Sequence, residues 1–147
     1  MKLKGMVEVW SLNKEGNVKK YLRRNNTILN VGKEAIFKYA NDAFNRRKIS
    51  RIGIGTDNTS PDSSQTGLLN EVRCELGTVS VEGDFVIKIE HTFINWTTPS
   101  NICEAGIRLC DAYNCGSKEY LNRVTFDPVT CDENNNIKVK FTLTVTD

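Results

Sequence analysis

Little in this sequence points to metal or small-ligand chemistry. Its 147 residues include a single histidine, His91, only three prolines, and five cysteines without one C-x-x-C pair. Structural zinc sites are usually built from two close pairs of ligands, and the spacing Cys103-x6-Cys110-x4-Cys115-x15-Cys131 lacks them. An excess of one charge is also missing. Lys+Arg number 20 and Asp+Glu 18, a net of +2, whereas a dedicated nucleic-acid binder concentrates positive charge on one face. No apolar run approaches the roughly 20 residues that a membrane-crossing helix needs, so no membrane partner is expected. Met1-Lys2-Leu3-Lys4-Gly5 has no apolar signal core, so classical secretion is not expected either. Long linkers, low-complexity tracts and repeats of about 20–50 residues are absent from the sequence. The length suits one domain over residues 1–147, burying roughly 68–70% of its unfolded surface.

What the chain has in quantity is alternation. Ile137, Val139, Phe141, Leu143 and Val145 fall on one side of the last segment, with Lys138, Lys140, Thr142 and Thr144 on the other. A strand with one apolar and one polar face belongs in an antiparallel sheet with one wet side. Phe85, Ile87, Ile89 and Phe93 oppose Lys88, Glu90 and Thr92 in the same way, and Val72, Cys74 and Leu76 oppose Arg73 and Glu75. Residues 1–29 read as an N-terminal hairpin turning at Asn13-Lys14-Glu15-Gly16-Asn17, where glycine supplies positive φ. Further hairpins are expected around Ser80–Asp84 and around Asn114–Ser117. One helix is expected over 31–47, capped by Asn30, with Ile36, Tyr39, Ala40, Ala43 and Phe44 on its apolar stripe. Residues 49–147 supply the remaining strands. About eight or nine strands with one apolar face each must stack or close on themselves. The expected fold is mainly β: a two-sheet antiparallel, jelly-roll-like β-sandwich with one helix.

Candidate sites are few. Cys110 and Cys115 flank one hairpin end and can be bridged. Cys103 and Cys131 lie near its other end and form a second candidate pair. The odd count leaves at least one thiol free in a monomer. Cys74, on an apolar face, reads as a small buried hydrophobe. His91 shares the inward register of Ile89 and Phe93 and reads as a half-buried, hydrogen-bonded histidine, not as the base of a cysteine nucleophile. Gly53-Ile54-Gly55-Thr56 does not continue to G-K-[ST] and is no phosphate loop. Asp57, Asn58, Thr59 and Asp62 miss the spacing of a helix–loop–helix calcium site and read as turn residues. No catalytic, metal or cofactor residue is assigned. The Lys19, Lys20, Arg23, Arg24 run reads as an edge strand guarded by charge. Glu104 is placed to fix a turn or to pair with Arg123 on the adjacent strand.

The order of short motifs says more than any one of them. Ile52-Gly53-Ile54-Gly55-Thr56 is followed by a Thr/Ser/Pro/Asp loop, then Leu68-Leu69-Asn70-Glu71-Val72-Arg73, Glu104-Ala105-Gly106-Ile107 and Tyr120-Leu121-Asn122-Arg123-Val124-Thr125-Phe126-Asp127-Pro128. From about Asn30 onward this succession resembles small structural proteins of tailed bacteriophages and related archaeal viruses, described as tail-fibre, collar or capsid-surface components. The resemblance implies a non-enzymatic virion protein. Its expected partners are copies of itself and other virion proteins, met through loops and sheet edges. The alternative is a receptor- or carbohydrate-binding module of a viral fibre, with Trp10, Trp96, Tyr113 and Tyr120 as stacking faces for a sugar.

Overall fold

The computed structural model describes residues 2–39, 48–110 and 119–146. The alternating segments form nine strands: β1 (Lys2–Asn13), β2 (Val18–Ile28), β3 (Lys48–Gly55), β4 (Glu71–Leu76), β5 (Thr78–Glu82), β6 (Val86–Phe93), β7 (Ser100–Cys110), β8 (Asn122–Cys131) and β9 (Asn135–Thr146). Helix α1 spans Asn30–Tyr39. The strands join antiparallel in one nine-stranded sheet, in the order β4-β3-β7-β8-β2-β1-β9-β6-β5. It curls into a nearly closed, barrel-like wall, where the sequence pattern had suggested two separate sheets.

The middle of that sheet follows directly from the period-two pattern. β1 and β9 pair at every position from Lys2↔Thr146 to Asn13↔Asn135. Val7 faces Phe141 and Val9 faces Val139, all four buried. On β6, Ile89 and Phe93 join them, while Lys88 and Glu90 point outward beside Thr142 and Lys140. Each such buried Ile or Phe side chain contributes roughly 1.5–3 kcal/mol. The first hairpin turns where expected. Asn13 Oδ1 accepts from Glu15 N (3.1 Å) and Asn17 N (2.8 Å), and Gly16 takes φ +89°.

Closure depends on β4 and β5, the two outer strands of the order, which are consecutive in the chain and separated by Gly77 alone. Gly77 N donates to Ser50 O at 2.9 Å, so the chain passes from one edge of the sheet to the other around a one-residue corner. Beside it, β4 faces the opposite way from the sequence expectation. Arg73 pairs with Ile54 and Glu75 with Ile52, so both charged residues share the face of two fully buried isoleucines. Val72 and Leu76 are instead exposed. The cause is a polar cluster that spans the seam. Glu75 binds Arg73 (2.5 Å) on its own strand and His91 (2.9 Å) on β6, and Arg73 lies over the Trp96 ring at 4.6 Å.

The helix also departs from its expected stripe. Gly32 and Ala35 are buried, Gly32 lying against the Leu121 backbone, whereas Ile36 is 43% exposed. The rest of the expected helix, 40–47, lies outside the described residues.

Candidate functional site

One polar node draws together most of the motifs noted in the sequence. Glu104 on β7 and Arg123 on β8 are both 0% exposed. A β-bulge between Ile102 and Glu104 sets the local register of β7 against β8, and Arg123 Nε donates to Glu104 Oε1 at 3.0 Å. The same carboxylate accepts three backbone amides from the segment 56–70. Leu69 N donates to Oε1 (2.9 Å), while Asn70 N (2.9 Å) and Asp57 N (3.0 Å) donate to Oε2. Arg123 completes the clamp from its other side. Its Nη1 donates to Thr59 O (2.6 Å) and Gln65 Oε1 (3.2 Å), and its Nη2 to Asp57 O (3.3 Å) and Asp57 Oδ1 (3.4 Å).

The ion pair is therefore more than a cross-strand contact. It satisfies backbone groups at both ends of a long loop, groups that would otherwise be costly to leave buried without partners. Inside the loop, Asp57 Oδ1 accepts from Thr59 N (2.8 Å), and Asp62 Oδ1 from Ser64 N (2.8 Å) and Ser64 Oγ (2.5 Å). Hydrogen bonds from Thr59 hold the Asp57 carboxyl below its ordinary value, with Arg123 adding a smaller pull. Those from Ser64 do the same for Asp62. The loop ends are tied by Asn70 Nδ2 donating to Thr56 Oγ1 (2.6 Å), and Ser63 O receives Asn30 N (2.8 Å) at the start of α1.

Next to the clamp, Tyr120 lies on a floor that only glycine can make. Gly53 and Gly106 are directly paired across β3 and β7. A Cβ on Gly53 would run into the Tyr120 hydroxyl, and one on Gly106 would stand 2.5 Å from Asn122 O and 2.8 Å from the Tyr120 ring. The Tyr120 hydroxyl donates to Glu71 Oε1, and burial followed by the nearby Cys74 and Glu71 drives its pKa far above the tyrosine range. Asn122 Oδ1 accepts Ile107 N at 2.7 Å. The glycines, the Leu-x-Asn-Glu segment, the Glu-Ala-Gly segment and the Leu-x-Arg segment thus share one structural task. Of this set, the sequence reading pairs only Glu104 with Arg123, and offers Tyr120 as a stacking face for a sugar, not as a buried hydroxyl. The recurring glycines were the available signal for the aromatic they support.

The other candidates are dispersed. Cys110 is disulfide-bonded, and Cys115 lies outside the described residues. Cys103 and Cys131 are free thiols, not a bridge. Cys131 stands opposite Ser100, three positions from Cys103, or about 10 Å along a strand, beyond the roughly 4.4–6.8 Å that a disulfide spans. Burial raises the three free thiols among the described residues, Cys74, Cys103 and Cys131, the last to about 12. Cys74 is half-buried beside Arg108 and Tyr120. His91 bonds Glu75 and meets the Phe93 ring edge-on at 4.7 Å, and among the described residues no thiol is a hydrogen-bond partner of it.

Of the four aromatics proposed for stacking, Trp96 (6% exposed) and Tyr120 (1%) are covered, the first by Arg73 and the second by its bed of glycines. Tyr113 lies outside the described residues. Trp10 faces outward, 5.3 Å from the Tyr21 ring and under Lys138 at 5.1 Å. Among the described residues no cluster of three or more His, Cys, Asp or Glu is placed to hold a metal, and no helix is long and apolar enough to cross a membrane. Compared with known proteins, the chain matches no family model, no curated relative and no solved structure.

Proposed function

We propose that this protein is a non-enzymatic structural component of a tailed-virus particle, assembling on the capsid surface, collar or tail through its loops and sheet edges. The observation that carries the reading is where its polar residues are spent. The Glu104–Arg123 clamp, buried under the 56–70 loop, uses its hydrogen-bonding capacity on the protein's own backbone. Such a clamp gives a long surface loop a fixed shape without an accessible reactive group, which suits a part that must present the same surface in every copy. In this reading the wall acts as two layers in the manner of a sandwich, β4-β3-β7-β8 and β2-β1-β9-β6-β5, joined at the Gly77 corner and at a short β2–β8 contact.

Light scattering on the purified protein is expected to give one defined oligomer or, with particles added, co-sedimentation. Mass spectrometry of purified particles should find the chain. A strict monomer absent from particles removes the proposal. The alternative, a glycan-binding module, retains one favourable feature in the outward Trp10–Tyr21 pair. A glycan array in which Trp10→Ala abolishes a signal would favour it over the first reading.

A further inference from the structure

The wall of the barrel is open on one side. β2 and β8 are neighbours in the sheet, but they pair only at Thr27↔Arg123 and Ile28↔Asn122. Beyond Arg123 the strands part. Among the described residues, neither 18–26 of β2 nor 124–131 of β8 has a ladder partner on the facing edge. Apart from Arg23 O, which accepts Arg24 Nη1 at 2.8 Å, their backbone N–H and C=O groups on those edges are the template that an added strand uses. Where they part, a groove of about 330 Å³ is lined by Arg24 from one wall, by Thr125, Phe126, Asp127 and Pro128 from the other, and by Asn58 of the clamped loop.

The charge on this edge is one-sided. β2 carries Lys19, Lys20, Arg23 and Arg24 and no acidic residue. Three of the four make a hydrogen bond: Lys19 at the β9 turn, Arg23 through Nε to Met6 Sδ, and Arg24 through Nη1 to Arg23 O at 2.8 Å. Arg23 stands opposite Glu8, and Lys19 Nζ donates to Asn135 Oδ1 at 2.7 Å. Lys20 and Arg24 lie on the other face of β2, opposite Ser11 and Val7, with buried Leu22 between them. Among the described residues neither has a carboxylate within ion-pair distance. Asp127 is the single acid lining the groove, on the far wall.

We infer that the β2–β8 opening takes an extended acidic segment of a neighbouring protein by strand addition along residues 18–26. Its recognition pattern would be two carboxylates four residues apart, facing Lys20 and Arg24, with a small or apolar residue between them over Leu22. Opposite charges across a strand pair favour this register, and the backbone bonds supply the sequence-independent part. The inference deepens the assembly reading and rests on it only in taking a protein as the occupant.

The test uses the full chain and a fluorescein-labelled peptide of about nine residues, the length of the free edge, alternating Thr with Asp or Val so that Asp-Thr-Val-Thr-Asp sits at its centre. Fluorescence anisotropy should show saturable binding that weakens with salt. Arg24→Glu, at an exposed position, should weaken binding about tenfold while the circular dichroism spectrum stays unchanged, and Asp127→Asn should tighten it. N-methylation of every second peptide amide, in at least one of the two phases, should abolish binding, because those amides donate to the strand edge. No binding, equal binding of a Lys-Thr-Val-Thr-Lys peptide, or indifference to N-methylation in both phases would overturn the inference. So would oligo-dT competing as tightly as the acidic peptide, which would make the edge a phosphate site, or a dimer of this chain that is lost on Arg24→Glu. A defined oligomer or particle binding without peptide capture would overturn the groove alone and leave the assembly reading standing.

Discussion

Replacing Glu104 by Gln is the sharpest perturbation of the clamp. The carboxylate receives two donors on each oxygen: Arg123 Nε and Leu69 N on Oε1, Asp57 N and Asn70 N on Oε2. An amide of the same shape keeps one acceptor oxygen and turns an NH2 group toward the other two donors, whichever way it is flipped. It also leaves the Arg123 charge without its fully buried partner. Removing one member of a buried pair costs about 3–5 kcal/mol. For a chain near 150 residues each kcal/mol shifts Tm by about 2–4 °C, so a fall of about 6–20 °C is expected. Domains of ordinary size have about 5–15 kcal/mol to lose, so Glu104→Gln should still fold at room temperature. Thermal and urea denaturation followed by circular dichroism give the number, and limited proteolysis reports whether the 56–70 loop is released before the barrel melts.

A second variant separates two explanations of that loss. If the two charges did nothing but neutralise each other, an apolar pair such as Glu104→Leu with Arg123→Met would restore most of the stability. Here the partners also bind loop backbone. The double variant leaves the Asp57, Leu69 and Asn70 amides and the Thr59 and Asp57 carbonyls without partners, at about 1–3 kcal/mol for each group that stays buried. It should therefore remain at least about 3 kcal/mol below the parent and be cut within 56–70. Recovery to within about 1 kcal/mol, with the loop still resistant to protease, refutes the clamp.

Three other outcomes are expected. Gly106→Ala places a methyl group 2.5 Å from Asn122 O and 2.8 Å from the Tyr120 ring, and should lower stability by about 1–3 kcal/mol in urea titrations; an unchanged midpoint would show that Tyr120 has room to move. In thiol titration of the folded protein with iodoacetamide at mildly alkaline pH, Cys74 should react slowly and first, and Cys131, held at about 12 by burial, only after unfolding; early labelling of Cys131 contradicts its placement in the core. Asp57 and Asp62 both titrate below the ordinary 3.8 in the folded chain. Their contribution to stability is thus complete above the unfolded value and is lost as pH falls through the lower folded one. Asp62→Asn should flatten part of the acid limb of a stability–pH curve below about pH 4, and an identical limb would show that the Ser64 contacts do not form.

The parts of this fold that could be read in advance are those where one rule decides the outcome. β9 and the inner half of β6 face water on one side only, so alternation of Ile, Val, Phe and Leu with Lys, Glu and Thr fixed their orientation. β4 went the other way because Arg73 and Glu75 take its inward-facing register and join His91 of β6 in a partly exposed ion cluster that no hydropathy pattern encodes. Ile36 misled for a similar reason. The helix approaches Leu121 through Gly32, a backbone contact with no apolar signature, and this rotates the larger side chain outward. At the clamp, the sequence named Glu104 and Arg123 as a modest charge pair across two strands. It held no sign that three amides of a loop more than 30 residues away in the chain would converge on the same carboxylate. The glycine spacing was visible throughout, but its meaning required Tyr120, which only the pairing of β3 with β7 places above it.

The pairing of β1 with β9 has a mechanical side. Because Lys2 stands opposite Thr146 and the strands run antiparallel, a pull applied at those two ends loads the ladder one rung at a time, as a zipper opens, and never all rungs together. Force applied between Lys2 and Thr146 would therefore open the ladder at low load. A load carried through the flanks of the barrel, with Lys2 and Thr146 held side by side, would meet all the rungs of this ladder together.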